Sequence, residues 1–157
     1  MAVYVSVIGA GDADADAVAA AEAVGRELAV AGAILVCGGR AGVMEAAARG
    51  AAEAGGVAVG LLPDGDRSQA NPYLTVSVPT GMGELRNGLV ARAGDAVIAI
   101  GGEFGTLSEI GFALKLGRPV VGLGTWELAR GGQGVDAIEV ADGPQDAVAR
   151  ALALARR

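Results

Sequence analysis

Chemistry in this chain can come from glycine-rich bends that follow apolar runs, from an arginine set between leucines, and from a glutamate close behind one of the bends. The sharpest segment reads Ile100-Gly101-Gly102-Glu103-Phe104-Gly105-Thr106-Leu107-Ser108-Glu109. Glycines at Gly101, Gly102 and Gly105 let main-chain N–H groups approach an oxyanion. The start of the following helix favours negative charge, and the Thr106 hydroxyl adds a donor. No lysine follows the last glycine, so this is not the GxxxxGK[ST] phosphate loop. Thr106-Leu107-Ser108-Glu109 also fits a capping box, with Glu109 in the first helical turn and close to any bound ligand. A second bend, Gly38-Gly39-Arg40-Ala41-Gly42, has the same strand-to-helix placement, and Arg40 offers a guanidinium. It reads equally as an anion cradle or as a tight turn with an exposed arginine. Arg86 lies beside Leu85 and near Leu89, and locally it reads as a helical arginine on a solvated face. A third bend, Gly9-Ala10-Gly11, has Asp14 where a dinucleotide fingerprint needs its last glycine. Asp12, Asp14 and Asp16 would also repel a pyrophosphate, so it reads as a flexible turn.

Composition narrows the chemistry. The 157 residues carry a net charge of −6 and no histidine. An acidic chain without basic runs lacks the phosphate-neutralising surface that nucleic acid needs. Without imidazole, acid–base work falls to Asp, Glu, Tyr, Lys or the thiol, and the commonest transition-metal ligand is missing. No metal and no cofactor is expected. Cys37, the only cysteine, cannot form an internal disulfide, which suits a reducing compartment. No leader-like segment precedes the first strand, and no apolar run reaches the roughly 18–20 residues of a membrane helix. The expectation is a soluble, cytoplasmic protein with no membrane partner.

The elements that must position these residues follow from periodicity. Apolar, β-branched runs at 2–8, 33–37, 57–62, 74–78, 96–100 and 119–123 read as strands, with 137–140 as a short last one. Helical spacing covers 17–31, 43–54, 83–93, 106–116 and 146–156. Strands apolar on both faces, alternating with helices, predict one α/β domain over residues 1–157. Its architecture is Rossmann-like and doubly wound, with a mainly parallel sheet of six to seven strands and helices on both faces. Aromatics make up only 3% of the chain, so the core must be built from Ala, Val, Leu and Ile. In such folds ligands bind beyond the carboxyl ends of the strands, where the glycine bends lie.

Taken together, the loop at 38–44, Glu84-Leu85-Arg86-Asn87 and the pattern GG-x-x-GT-x-x-E at 101–109 resemble the Lonely Guy (LOG) family, once labelled lysine decarboxylase-like. Arg86-Asn87, Ala99-Ile100-Gly101-Gly102 and Thr106-Leu107-Ser108-Glu109 look closest to a short branch of that superfamily that includes the molybdenum cofactor carrier proteins. The resemblance implies a nucleotide-binding, Rossmann-like fold, a homodimer or homotetramer, and a small phosphorylated ligand, either a nucleoside monophosphate or a pterin phosphate. It places Arg86 and Glu109 on catalytic positions. Gly101, Gly102, Gly105 and Thr106 fall on the phosphate loop, and Gly38, Gly39 and Gly42 on the first glycine loop, where Arg40 is the added phosphate-binding candidate. Two positions depart from the LOG pattern: Ile100 replaces a proline, and Asn87 replaces a lysine.

The first functional expectation is a phosphoribohydrolase that cleaves the N-glycosidic bond of nucleoside 5′-monophosphates. Glu109 would stabilise an oxocarbenium-like state and orient water, and Arg86 would hold ribose or phosphate oxygens. The alternative is a carrier that holds molybdenum cofactor or a related phosphorylated ligand without turnover. A signalling-nucleotide sensor is weaker. Lysine decarboxylation is disfavoured, because the only lysine, Lys115, lies on a helix away from the glycine bends. Tyr73 and Trp126 fall in irregular segments, where stacking on a ligand and simple packing are both open.

Overall fold

Strands with no polar face are stable only when both sides of their sheet are covered, and the chain folds to meet that demand. The computed structural model describes residues 1–156. Its strands, in chain order, are β1 (Tyr4–Gly9), β2 (Ile34–Cys37), β3 (Val57–Leu62), β4 (Val76–Pro79), β5 (Ala96–Ile100), β6 (Val120–Leu123), β7 (Leu128–Arg130), β8 (Gln133–Val135) and β9 (Ile138–Val140). All except β7 and β8 join one parallel sheet in the order β4-β3-β2-β1-β5-β6-β9. The helices are α1 (Ala15–Val30), α2 (Val43–Glu53), α3 (Arg86–Ala93), α4 (Phe104–Lys115) and α5 (Pro144–Ala155). α1, α2 and α5 pack on one face of the sheet, α3 and α4 on the other. This is the expected doubly wound, Rossmann-like architecture. Among the described residues no helix is long and apolar enough to cross a membrane.

The strand order sets where a ligand can sit. The chain winds outward from β1 through β2 and β3 to β4, then returns to lay β5 on the other side of β1 and continues to β6 and β9. The direction reverses between β1 and β5, and their ends are level, with Gly9 opposite Ile100. Loops leaving these two strands therefore diverge and open a crevice.

Small residues supply the core. Between α1 and α2 the backbones approach so closely that a Cβ at Gly25 would overlap the Ala47 carbonyl, and one at Gly50 the Glu22 carbonyl. Arg49 seals the edge of this contact with a 2.9 Å ion pair to Glu22. On the opposite face the buried Ser6 hydroxyl donates to the Val90 carbonyl at 2.6 Å. That bond ties α3, and thus Arg86 at its start, to the central strand.

Three local expectations are corrected. The segment at 83–93 does not run as one helix. It opens with a 3-10 turn (Gly83–Leu85), and α3 proper begins at Arg86. α4 begins at Phe104, because Gly101 and Gly102 both take positive φ and turn the chain into the helix earlier. Thr106 is then the third helical residue rather than the cap, and Glu109 lies in the second turn. The capping box does not form: Glu103 is the N-cap and makes no side-chain cap bond. Finally, β7 and β8 form an antiparallel hairpin across Gly131-Gly132, both at positive φ. Two glycines there match the turn that tight hairpins favour, but strands of three largely exposed residues carry no periodic signal.

The helix contact gives a direct expectation. Gly25→Val must push α1 off the α2 backbone, and the loss is about 1–3 kcal/mol of stability. Denaturant titration should show a lowered midpoint; an unchanged midpoint would mean that the two helices are not in backbone contact.

Candidate functional site

The crevice between the β1 and β5 loops holds a cavity of about 320 Å³. Its wall is formed by residues 9–12 after β1, Met44, Pro63, Glu84, Arg86 and Asn87, and Glu103, Gly105, Thr106 and Glu109 of the β5–α4 segment. The structure thus brings Arg86, Glu109, Gly105 and Thr106 together.

Arg86 is 8% exposed despite its charge. Its Nη1 donates to Asn87 Oδ1 at 2.7 Å, while its buried Nε has no partner. Asn87 Nδ2 in turn donates to the Ser108 hydroxyl at 3.3 Å, and that hydroxyl donates to the Gly105 carbonyl at 2.6 Å. This chain of bonds links the guanidinium to the first turns of α4. Burial pulls the Arg86 pKa below its ordinary value, and Glu109 opposes that shift; guanidinium remains a cation in proteins.

The first glycine loop makes room for this arginine. A Cβ at Gly38 would stand 2.7 Å from Arg86 Nη1 and 2.8 Å from its Cζ. Gly42, at positive φ, lies beneath the β1 turn, where a Cβ would overlap the Ala10 and Gly11 carbonyls. Val43 N–H donates to the Ala10 carbonyl at 3.0 Å. Gly39 packs on Leu62. The Asn71 N–H and side-chain amide donate to the carbonyls of Gly39 and Arg40. None of Gly38, Gly39, Arg40 or Gly42 lines the cavity, and Arg40 pairs with Asp64 at 3.3 Å. The loop props up its neighbours.

The second glycine bend divides. The Gly101 N–H donates to the Leu123 carbonyl at 3.0 Å, and its own carbonyl accepts from the Thr125 hydroxyl at 2.6 Å. Gly101 and Gly102 line an adjoining cleft instead of this cavity. The free donors come just after. The first bond of α4 runs from Leu107 N–H to the Glu103 carbonyl, so the N–H groups of Phe104, Gly105 and Thr106 have no partner within the helix. They give the α4 end of the cavity the partial positive charge of a helix start.

Glu109 is 6% exposed. Burial pushes its carboxyl up to about 8, with Arg86 pulling the other way. At neutral pH it is mostly protonated, and Arg86 dominates the inner wall. Asp12, Glu84 and Glu103 are exposed on the rim.

Residues 2–148 match the model of the SLOG cluster4 family. The chain belongs to that family. A protein of Archaeoglobus fulgidus described only as uncharacterized is 41% identical over 119 residues, which cover 76% of this chain and 78% of that one. Among solved structures, the molybdenum cofactor binding protein of Rippkaea orientalis superposes with a TM-score of 0.88 at 28% identity, covering 98% of both chains. The molybdenum cofactor carrier protein of Chlamydomonas reinhardtii gives 0.85 at 29% identity, covering 100% of both. The family placement expected from the glycine and arginine motifs therefore stands.

Sequence reasoning set aside the turn at 9–12, which lines the cavity. Its signal lay in the strand order: this turn leaves β1, which the chain reversal sets beside β5. Asn87 was also missed as a site residue, because its role as a brace for Arg86 is visible only in three dimensions.

The raised carboxyl has a measurable consequence. In the unfolded chain Glu109 ionises near the ordinary glutamate value of 4.5. The folded form holds the proton more tightly, so its contribution to stability is full below that value and is lost as pH rises toward about 8. Glu109→Gln removes this loss. Parent and variant should unfold alike near pH 4, and at pH 9 the variant should be more stable by roughly 3–5 kcal/mol. Equal stability at pH 9 would show that the carboxylate is solvated.

Proposed function

We propose that this SLOG protein holds a small phosphorylated ligand of the molybdenum cofactor type as cargo and does not turn it over. The observation that carries the reading is the buried Arg86, which lines the same cavity as the free N–H groups at the start of α4 and whose Nε has no partner. A buried donor without an acceptor costs free energy, and a phosphate oxygen bound by the guanidinium would satisfy it once a small shift of the side chain opens Nε to the cavity. The adjacent N–H groups are suited to the remaining oxygens. A protonated Glu109 adds a hydrogen-bond donor without repelling the anion. The likeness to two proteins named for molybdenum cofactor binding supports this choice of ligand.

One observation favours the hydrolytic reading: Arg86 and Glu109 share the cavity wall. Burial, which raises the Glu109 carboxyl, suits it to act as a proton donor rather than as the anionic stabiliser expected from the sequence. The likeness to proteins named for molybdenum cofactor binding favours holding over hydrolysis.

The reading extends to assembly. Leu85 (73% exposed), in the turn before α3, and Phe104 (75% exposed), with Leu89 and Phe112, leave apolar surface exposed beside and along α3 and α4. In this reading a second copy covers them, giving a homodimer or a homotetramer built from such pairs.

Three outcomes are expected. Mass spectrometry of molecules released from the purified protein finds a pterin phosphate, and Arg86→Ala lowers its recovery by about 10–100-fold, the loss of charge-assisted hydrogen bonds. Protein incubated with adenosine or cytidine monophosphate at pH 7 frees no more base than the Glu109→Ala control does; faster release would restore the hydrolase. Sedimentation shows an oligomer that Leu85→Asp with Phe112→Asp dissociates, whereas a monomeric parent would sink the assembly.

A further inference from the structure

The β5–α4 bend separates two hollows. On one side is the Arg86 cavity; on the other is an open cleft of about 400 Å³ between the β5–α4 and β6–β7 turns. Glu103 lines both, so the two adjoin at that residue. Their chemistry differs. The first contains Arg86 and free N–H groups, whereas the second has no cation among its lining residues. It has instead the carboxylates of Glu103 and Glu127, the side chain of Trp126, and bare main chain at Gly101, Gly102 and Gly124. Gly101 and Gly124 take positive φ, and a Cβ at either would meet no atom within 4 Å. Backbone conformation calls for glycine there, and the result is a cleft floor free of side chains.

Trp126 is held in place. Its indole N–H donates to the Glu103 carbonyl at 3.2 Å, and its ring packs against Phe104 with centroids 5.7 Å apart and planes tilted by 34°. These contacts fix the ring and leave it lining the cleft.

We infer that the cleft is a second subsite for the same ligand, one that takes a flat aminopyrimidinone ring carrying adjacent N–H donors, as in a pterin. The inference rests on the cargo reading above and specifies how the rest of the ligand is held. A phosphate seated at Arg86 leaves its ester arm to pass Glu103, and the ring then lies in the cleft against Trp126. An amino group next to a ring N–H presents two parallel donors, which a carboxylate accepts as a pair. Glu127, which lines only the cleft, would repel a phosphate there, and this favours the orientation with the phosphate at Arg86. A fixed aromatic wall adds contact area at little entropic cost.

The test uses two probes that share a phosphate ester: neopterin monophosphate, which carries the ring, and ribose 5-phosphate, which does not. Both are titrated by calorimetry and by emission of Trp126, the only tryptophan in the chain, with correction for pterin absorbance. Neopterin monophosphate is expected to bind at least tenfold more tightly and to quench Trp126, with ribose 5-phosphate leaving the emission unchanged. Glu127→Gln, at a residue that lines only the cleft, should lose that advantage while its affinity for ribose 5-phosphate stays within twofold. Trp126→Phe, which keeps an aromatic ring on Phe104, should retain binding, and this separates a folding defect from a loss of recognition. Equal affinity for the two probes, or a pterin advantage that survives Glu127→Gln, overturns the second subsite and leaves the phosphate site standing. If neither probe binds, the cargo reading and this inference fall together.

Discussion

A buried guanidinium is the constraint to which the rest of this site answers. Moving a cation out of water is costly unless neighbours replace the lost solvation. Arg86 finds only part of that replacement. Asn87 accepts from one nitrogen, and Glu109 lies near enough to oppose the shift that burial causes. No ion pair closes between Arg86 and Glu109, and Nε remains without an acceptor. The fold supplies the space, because Gly38 has no Cβ to occupy it. It also supplies the anchor, because the Ser6 bond to Val90 holds α3 on β1. What remains is one buried donor without a partner.

The surroundings of Arg86 keep its charge from being neutralised internally. Cys37, at the end of β2, is pushed up to about 11, chiefly by burial, and stays a neutral thiol. Glu109 is held near 8 by the same cause. Two groups that could have neutralised the guanidinium are therefore uncharged at neutral pH. A chain with net charge −6 thus encloses a small region of positive potential, bounded by exposed acids at the rim. The arrangement depends on depth: the same carboxyl at the surface would ionise and cancel Arg86.

Much of the fold was legible because apolar runs bounded by glycine and proline are a direct record of strands buried on both faces. The parallel sheet and its covering helices followed. The hairpin of β7 and β8 did not, since three-residue exposed strands leave no pattern. The site was legible in a different way. Glu109 and the glycine bends stood out by spacing, yet their roles depended on φ angles that spacing does not encode. Positive φ at Gly101 and Gly102 advanced the start of α4 and turned an expected cap into a buried side chain. Arg86 was the hardest. Its neighbours Leu85 and Leu89 suggested an apolar face turned inward with the arginine outside, whereas Leu85 is exposed and Arg86 is buried. Such an inversion follows when tertiary demands outweigh local pattern, and it marks a site or an interface.

The two glycine bends look alike as sequence and act differently as structure. In the first, glycine is required by what lies next to it: the Arg86 guanidinium at Gly38, and the Ala10 and Gly11 carbonyls at Gly42. In the second, Gly101 and Gly105 have no close neighbour at the Cβ position, and the bend opens onto hollows on both sides. One bend positions the charge and the other exposes the N–H donors that work beside it. A glycine that would clash if substituted reports on packing, whereas one that would meet empty space can report on a ligand. By that criterion Gly101 and Gly105 leave the β5–α4 bend open, whereas Gly102, whose Cβ would meet Thr106, is required by packing. The loop after β2 is a support, and a substitution at Gly38 would act on the cavity through Arg86.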